Sequence, residues 1–189
     1  AMQALEEKLD RLQKGDILIL AGSIPASLAQ TTYERILARL EGRDIRAVVD
    51  ATRDLLVNVL RYKPFLIKPN NHELSEIAGV KLTNDNEIVT AARMMQAKGA
   101  RNVLVSMAGD GALLLDEQGG VHRIGCPKGK VVNSVGAGDS MVAGFVAGYQ
   151  QSGGDYAAAL KLGTACGSAT AFSLGLATKA DIDKLLKTM

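Results

Sequence analysis

The sequence predicts an α/β fold on a mainly parallel sheet with helices on both faces. Short apolar, β-branched runs alternate with segments of helical spacing, the pattern of strand–helix–strand units. The strand-like runs are apolar throughout, as strands buried on both faces are. From Gly136 onward the chain is almost wholly helical, and it enters that stretch through a glycine turn.

The elements follow in order. "AMQALEEKLDRLQKGD" opens the chain as a charged amphipathic helix, not a signal peptide. "DILIL", "RAVVD", "FLIK" and "NVLVS" are the strand candidates. Between them lie "AQTTYERILARLEG", "RDLLVNVLRYK", "NHELSEIAG" and "NDNEIVTAARMMQAKG", with helical spacing and ends near glycine or lysine. "GALLLDEQGGVHRI" breaks the rhythm as a hairpin turning at residues 118–120. A doubly wound sheet normally begins with a strand and carries its glycine turns early. A chain that begins in a helix and keeps its richest glycine turn for the last third reads as the C-terminal part of a larger protein. Ala1 reads as a cloning remnant.

At 189 residues the chain can form one domain, 1–189, with a sizeable core. Its 47% hydrophobic and 22% charged residues and net charge of +2 contain no basic stripe or charge block, so no nucleic-acid or membrane partner is expected. No apolar run approaches the roughly 20 residues of a membrane span. Cys126 and Cys166 form no CxxC or zinc spacing, which points to a reducing cytoplasm.

Four clusters carry candidate chemistry. In "VVNSVGAGDSMVAGF", Gly136 and Gly138 open a helix whose unpaired N–H groups suit an anion, and Asp139 stands beside them. The turn lacks the third glycine of a dinucleotide fingerprint, where Met141 stands, and the GK[ST] of a P-loop. In "LIKPNNHEL", Lys68 offers a point charge for phosphate, and Asn70 with Glu73 can hold the waters of Mg²⁺. The same two residues also fit a helix cap. In "VSMAGDGALLL", the turn after Ser106 can expose N–H groups to a phosphate tail or be a plain β-turn. In "AGSIP", Gly22, Ser23 and Pro25 can line a polar substrate. His72 reads as a solvated helix residue and His122 as part of the hairpin, neither with a second metal ligand in spacing. Met94 and Met95 read as filling.

Taken together, "VVNSVGAGDSMVAGF", "IKPNNHEL", "VSMAGDGALL", "GSIP" and "ACGSATAF" resemble, in type and order, the motifs of the pfkB (ribokinase-like) carbohydrate kinases. Within them the resemblance is to the 1-phosphofructokinase and tagatose-6-phosphate kinase branch. It implies a three-layer, doubly wound ribokinase-like sheet lacking its N-terminal portion and lid, where most sugar contacts lie. It implies ATP and Mg²⁺ as cofactors, a sugar-phosphate substrate and a homodimer for the full-length protein. Asp139 becomes the base and the Val135, Gly136, Ala137 and Gly138 backbone the anion hole. Lys68 and the turn Ser106, Met107, Ala108, Gly109, Asp110 and Gly111 approach the ATP phosphates. Asn70 and Glu73 organise Mg²⁺ through water, and Ser23 faces the sugar. Ala165, Gly167, Ser168 and Ala169 line the adenine side. Ala108 departs from the family's usual glycine and Ser134 from its usual threonine. The implied reaction converts fructose 1-phosphate to the 1,6-bisphosphate, with tagatose 6-phosphate and fructose 6-phosphate as alternative substrates. The 189-residue chain alone is expected to be inactive. A nucleotide-binding scaffold or sensor is the reading outside catalysis, and a dehydrogenase-like domain a third.

Overall fold

In the computed structural model, which describes residues 2–189, the strands neighbour one another in chain order. Ala1 lies outside the described residues. The chain divides into two compact units, Ala1–Val103 and Leu104–Met189.

In the first unit, α1 (Met2–Asp10) buries Leu9. Its end is held by Arg43, whose guanidinium donates to the carbonyls of Leu9, Asp10 and Leu12. Arg39 of α2 (Thr32–Leu40) pairs both its Nε and Nη2 with the Asp10 carboxylate, at 2.8 and 2.6 Å. β1 (Ile17–Ala21), β2 (Arg46–Asp50) and β3 (Leu66–Ile67) run parallel, as does β4 (Asn102–Ser106) against β3. Val48, Val49, Leu66, Ile67 and Val103 are completely buried, as the unbroken apolar runs predict. The helix predicted over 53–63 is split. α3 (Arg53–Val57) ends at Asn58, and Leu60–Tyr62 form a separate 3₁₀ turn. Val57, Asn58 and Val59 are weak helix formers, and Lys63 turns left-handed (φ 51°) ahead of Pro64. α4 (Asn71–Ala78) and α5 (Asp85–Ala97) complete this unit's helices, each opened by an asparagine cap.

In the second unit, β5 (Ala112–Leu115) is wholly buried and pairs antiparallel with β6 (Val121–Ile124), whose exposure alternates. The Asp116 carboxylate closes the predicted turn. It accepts the N–H groups of Gln118 and Gly120, both at 2.8 Å, and bonds His122 Nε2 at 2.7 Å. Helices α6 (Ala137–Gln151) and α7 (Tyr156–Ala171) meet along a seam of small residues. A Cβ at Gly144 would lie 2.6 Å from Cys166 Sγ, and one at Gly163 2.9 Å from the Met141 carbonyl. α8 (Lys179–Leu186) starts at a Thr178–Asp181 capping box.

Candidate functional site

The first unit gathers its site residues at the carboxyl ends of β2 and β3, where open α/β sheets bind ligands. The register pairs Val49 with Ile67, so Asp50 and Lys68 are the next pair along. Lys68 Nζ lies 3.2 Å from Asp50 Oδ1, with side chains 7% and 17% exposed. An ammonium at that depth requires a charged partner. Asp50 was missed in the sequence. Its only trace there is that "RAVVD" and "FLIK" end in opposite charges.

Asn70 and Glu73 form a reciprocal cap. Asn70 Oδ1 accepts the N–H groups of His72 and Glu73 at 2.9 Å, and Glu73 Oε2 accepts the Asn70 N–H at 2.8 Å. The helix-capping reading is therefore realised. Glu73 Oε1 has no partner among the described residues. No group of three or more His, Cys, Asp or Glu among those residues could hold a metal directly. The donor set fits Mg²⁺ only through its waters, an arrangement this ion accepts. Ser23 is exposed on the loop after β1. That loop is tied down by the Tyr33 hydroxyl, which donates to the Ala21 carbonyl at 2.8 Å and the Gly22 carbonyl at 3.2 Å. Burial pushes the Tyr33 phenol up, and the charge of Asp50 adds to it.

In the second unit, Ser106 ends β4, Met107 is buried and Ala108–Asp110 form a 3₁₀ turn. The turn binds itself: Met107 N–H donates to Gly111 O, Asp110 N–H to Met107 O and Gly111 N–H to Ala108 O. This leaves the exposed Ala108 and Gly109 N–H groups without partners among the described residues. Ala108 sits at φ 47°, left-handed backbone that favours glycine, the residue the resemblance leads one to expect there.

Gly136, at φ 79°, is the N-cap of α6. Of the four predicted anion-hole N–H groups, two are committed. Val135 donates to Asn133 Oδ1 at 3.0 Å and Ala137 to the Ser134 carbonyl at 3.2 Å. The Gly136 and Gly138 N–H groups are open, as is that of Asp139. Asp139 is exposed in the first helical turn, and its carboxylate makes no hydrogen bond or ion pair among the described residues. Sequence reasoning also missed Asn133, whose Nδ2 donates to the Leu174 carbonyl at 3.3 Å while its Oδ1 shapes the turn. Ser140 Oγ and Thr170 Oγ1, 2.9 Å apart, pin α6 to α7.

Gly167 lies in the α6–α7 seam, where a Cβ would stand 3.0 Å from the Ala137 carbonyl. Ser168 is buried with its hydroxyl 3.7 Å from Cys126 Sγ, and Ala165 and Ala169 are buried beside it in sequence. His72 is exposed, Met94 partly exposed and Met95 buried, as read from the sequence. Both cysteines are free, and no helix among the described residues is long and apolar enough to cross a membrane.

A glycine-opened helix with a free carboxylate in its first turn, carried on an α/β sheet, defines a candidate anion-handling site. Comparison with known proteins gives it a family. Residues 1–183 match the pfkB family of carbohydrate kinases, and the chain belongs to that family. It is 46% identical over 184 residues to the 1-phosphofructokinase of Bacillus subtilis (strain 168), covering 97% of this chain and 60% of that protein. It is 36% identical to the D-tagatose-1-phosphate kinase of Bacillus licheniformis, covering 98% and 60%. The phosphofructokinase-2 of Escherichia coli, solved in complex with substrates and products, superposes with a TM-score of 0.90 at 27% identity, covering 99% and 61%. The ribokinase-like α/β fold expected from the sequence is thus present. The chain spans about 60% of the length of these relatives.

Proposed function

We propose that this chain supplies the nucleotide-handling and base-bearing part of an ATP-dependent kinase that phosphorylates a sugar phosphate. Fructose 1-phosphate, giving the 1,6-bisphosphate, is the favoured substrate, on the strength of the 46% identity to a protein of that name. Tagatose phosphates and fructose 6-phosphate are the alternatives. The observation that carries the reading is the pairing, within one helical turn, of open Gly136 and Gly138 N–H groups with an unengaged Asp139 carboxylate.

Phosphoryl transfer spreads charge over the equatorial oxygens of the moving group, so positioned N–H donors lower its barrier. Asp139 orients the attacking sugar hydroxyl and accepts its proton as the new O–P bond forms and the bond to the nucleoside diphosphate breaks. The Ala108 and Gly109 N–H groups and Lys68 are assigned to the ATP phosphates, Ser23 to the sugar, and Gly167 and Ser168 to the adenine side. Mg²⁺, when bound, would neutralise phosphate charge, with its waters held by the open Glu73 Oε1 and Asn70 fixing Glu73 through their reciprocal cap. The small residues of α7 also serve packing, since a Cβ at Gly167 would crowd the Ala137 carbonyl at 3.0 Å and Met141 Cβ at 3.2 Å.

The test offers fructose 1-phosphate, tagatose 6-phosphate and fructose 6-phosphate with Mg-ATP, and follows ADP together with sugar bisphosphate. Two samples are compared: the 189-residue chain, and a polypeptide of the relatives' length carrying it. Turnover is expected only in the longer one, greatest with fructose 1-phosphate. ADP release independent of any sugar would reject the kinase reading.

A further inference from the structure

The pair formed by Asp50 and Lys68 is expensive as a structural device, because two apolar side chains of similar size would be at least as stabilising. It sits at the carboxyl ends of adjacent parallel strands, facing the end of the sheet where ligands bind. An ammonium carries three donors, and its ion pair with Asp50 Oδ1 at 3.2 Å can occupy at most one of them. No other hydrogen bond or ion pair of Lys68's side chain exists among the described residues. The lysine stem is rotatable and its charge compact, so its direction is set by whatever it is paired with.

From this geometry we infer that Asp50 is a positioning residue: its carboxylate holds the Lys68 ammonium at the end of β3, with donors left over for a nucleotide phosphate. The inference rests on the nucleotide reading above and names the group on which the Lys68 contact depends. Asp50 itself need not touch the ligand.

The experiment titrates the 15N-labelled 189-residue chain, by NMR, with Mg-ATP and separately with adenosine, which has no phosphate. The variants are Asp50→Asn, Asp50→Glu, Lys68→Met and the double variant Asp50→Asn/Lys68→Met. Loss of a charge-assisted contact is worth roughly 10- to 100-fold in affinity. Asp50→Asn is expected to weaken ATP by that factor and leave adenosine unchanged, whereas Asp50→Glu restores part of the ATP affinity. The double variant is expected to bind ATP as Lys68→Met does, because Asp50 acts only through Lys68. This comparison also holds if Asp50→Asn alone, with a buried unpaired ammonium, folds poorly. Equal losses for ATP and adenosine, or additive losses in the double variant, would overturn the positioning role and leave the nucleotide reading standing. A parent chain that binds adenosine but gains nothing from the phosphates would overturn both, and so would one that binds neither.

Discussion

Replacing Gly111 by alanine tests the turn that is assigned to the ATP phosphates. Gly111 adopts φ 90° and ψ −129°, a combination that L side chains avoid. A Cβ there would stand 2.1 Å from the Ile124 carbonyl oxygen, 2.6 Å from Gly125 C and 2.7 Å from Cys126 N. All three are backbone atoms at the end of β6, so no rotamer change relieves the clash. Backbone strain of about 1–3 kcal/mol adds to overpacking of about 1–3 kcal/mol, a loss on the order of 2–6 kcal/mol. At roughly 2–4 °C per kcal/mol for a chain of this size, the melting temperature should fall by at least about 4 °C. Gly109→Ala is the control two residues away, because Gly109 has ordinary φ and nothing within 4 Å of its Cβ position. It should melt like the parent. Ala108→Gly should be neutral or stabilising, since it relieves the left-handed φ of 47°. Thermal unfolding followed by circular dichroism separates the three variants. A Gly111→Ala chain melting within about 1 °C of the parent would show that the β5–β6 end yields without cost, and the packing argument would fail.

Three further outcomes are expected. In an active kinase carrying this chain, Asp139→Asn should lower kcat by about 10²- to 10⁴-fold and leave ATP affinity unchanged, and turnover within a few-fold of the parent would remove Asp139 as the base. Glu73→Gln should raise the magnesium requirement more than the sugar KM, and an unaltered magnesium titration would confine Glu73 to its capping role. Burial pushes the Asp116 carboxyl up, but the hydrogen bonds from His122, Gly120 and Gln118 outweigh it and hold it below the usual carboxylate range. Its stabilisation is therefore complete above the unfolded value near 3.9 and is lost as pH falls through the lower folded value. The melting-temperature gap between the parent and Asp116→Asn should thus be constant from about pH 7 to 5 and shrink below about pH 4. A gap that already closes near pH 6 would refute this account of the Asp116 carboxylate.

The sequence alone reveals what local chemistry decides. The runs around Val48, Leu66 and Val103 are buried strands because continuous apolar stretches fit strands covered on both faces. Asn70 and Glu73 stand three apart ahead of an apolar turn, and that spacing alone makes a reciprocal cap. The hairpin turn was visible in "DEQGG", although the part played by the Asp116 carboxylate was not. The break at Asn58 has no mark in the sequence because apolar spacing continues through Leu56, Val59 and Leu60, all buried to within 1%. Periodicity records which side chains are inward and is silent on whether the hydrogen-bond ladder between them is continuous.

The site divides along the same line. Residue types named the donors, but which donors are free depends on contacts that no motif encodes. The motif Val135–Gly138 offers four N–H groups, and a side chain two residues before Val135 takes the first of them. Asn133 thereby fixes the turn, and with Ala137 N–H committed to the Ser134 carbonyl the glycine N–H groups remain as the open pair. Asp50 and Lys68 are 18 positions apart and belong to different runs, so only the parallel register of β2 and β3 brings them together. That register puts a carboxylate beside a lysine at a depth where an unpaired ammonium would not be stable. A lysine so held is less mobile than one on a solvated face. The motif supplies the cation, and the neighbouring strand supplies the constraint that makes its position reproducible.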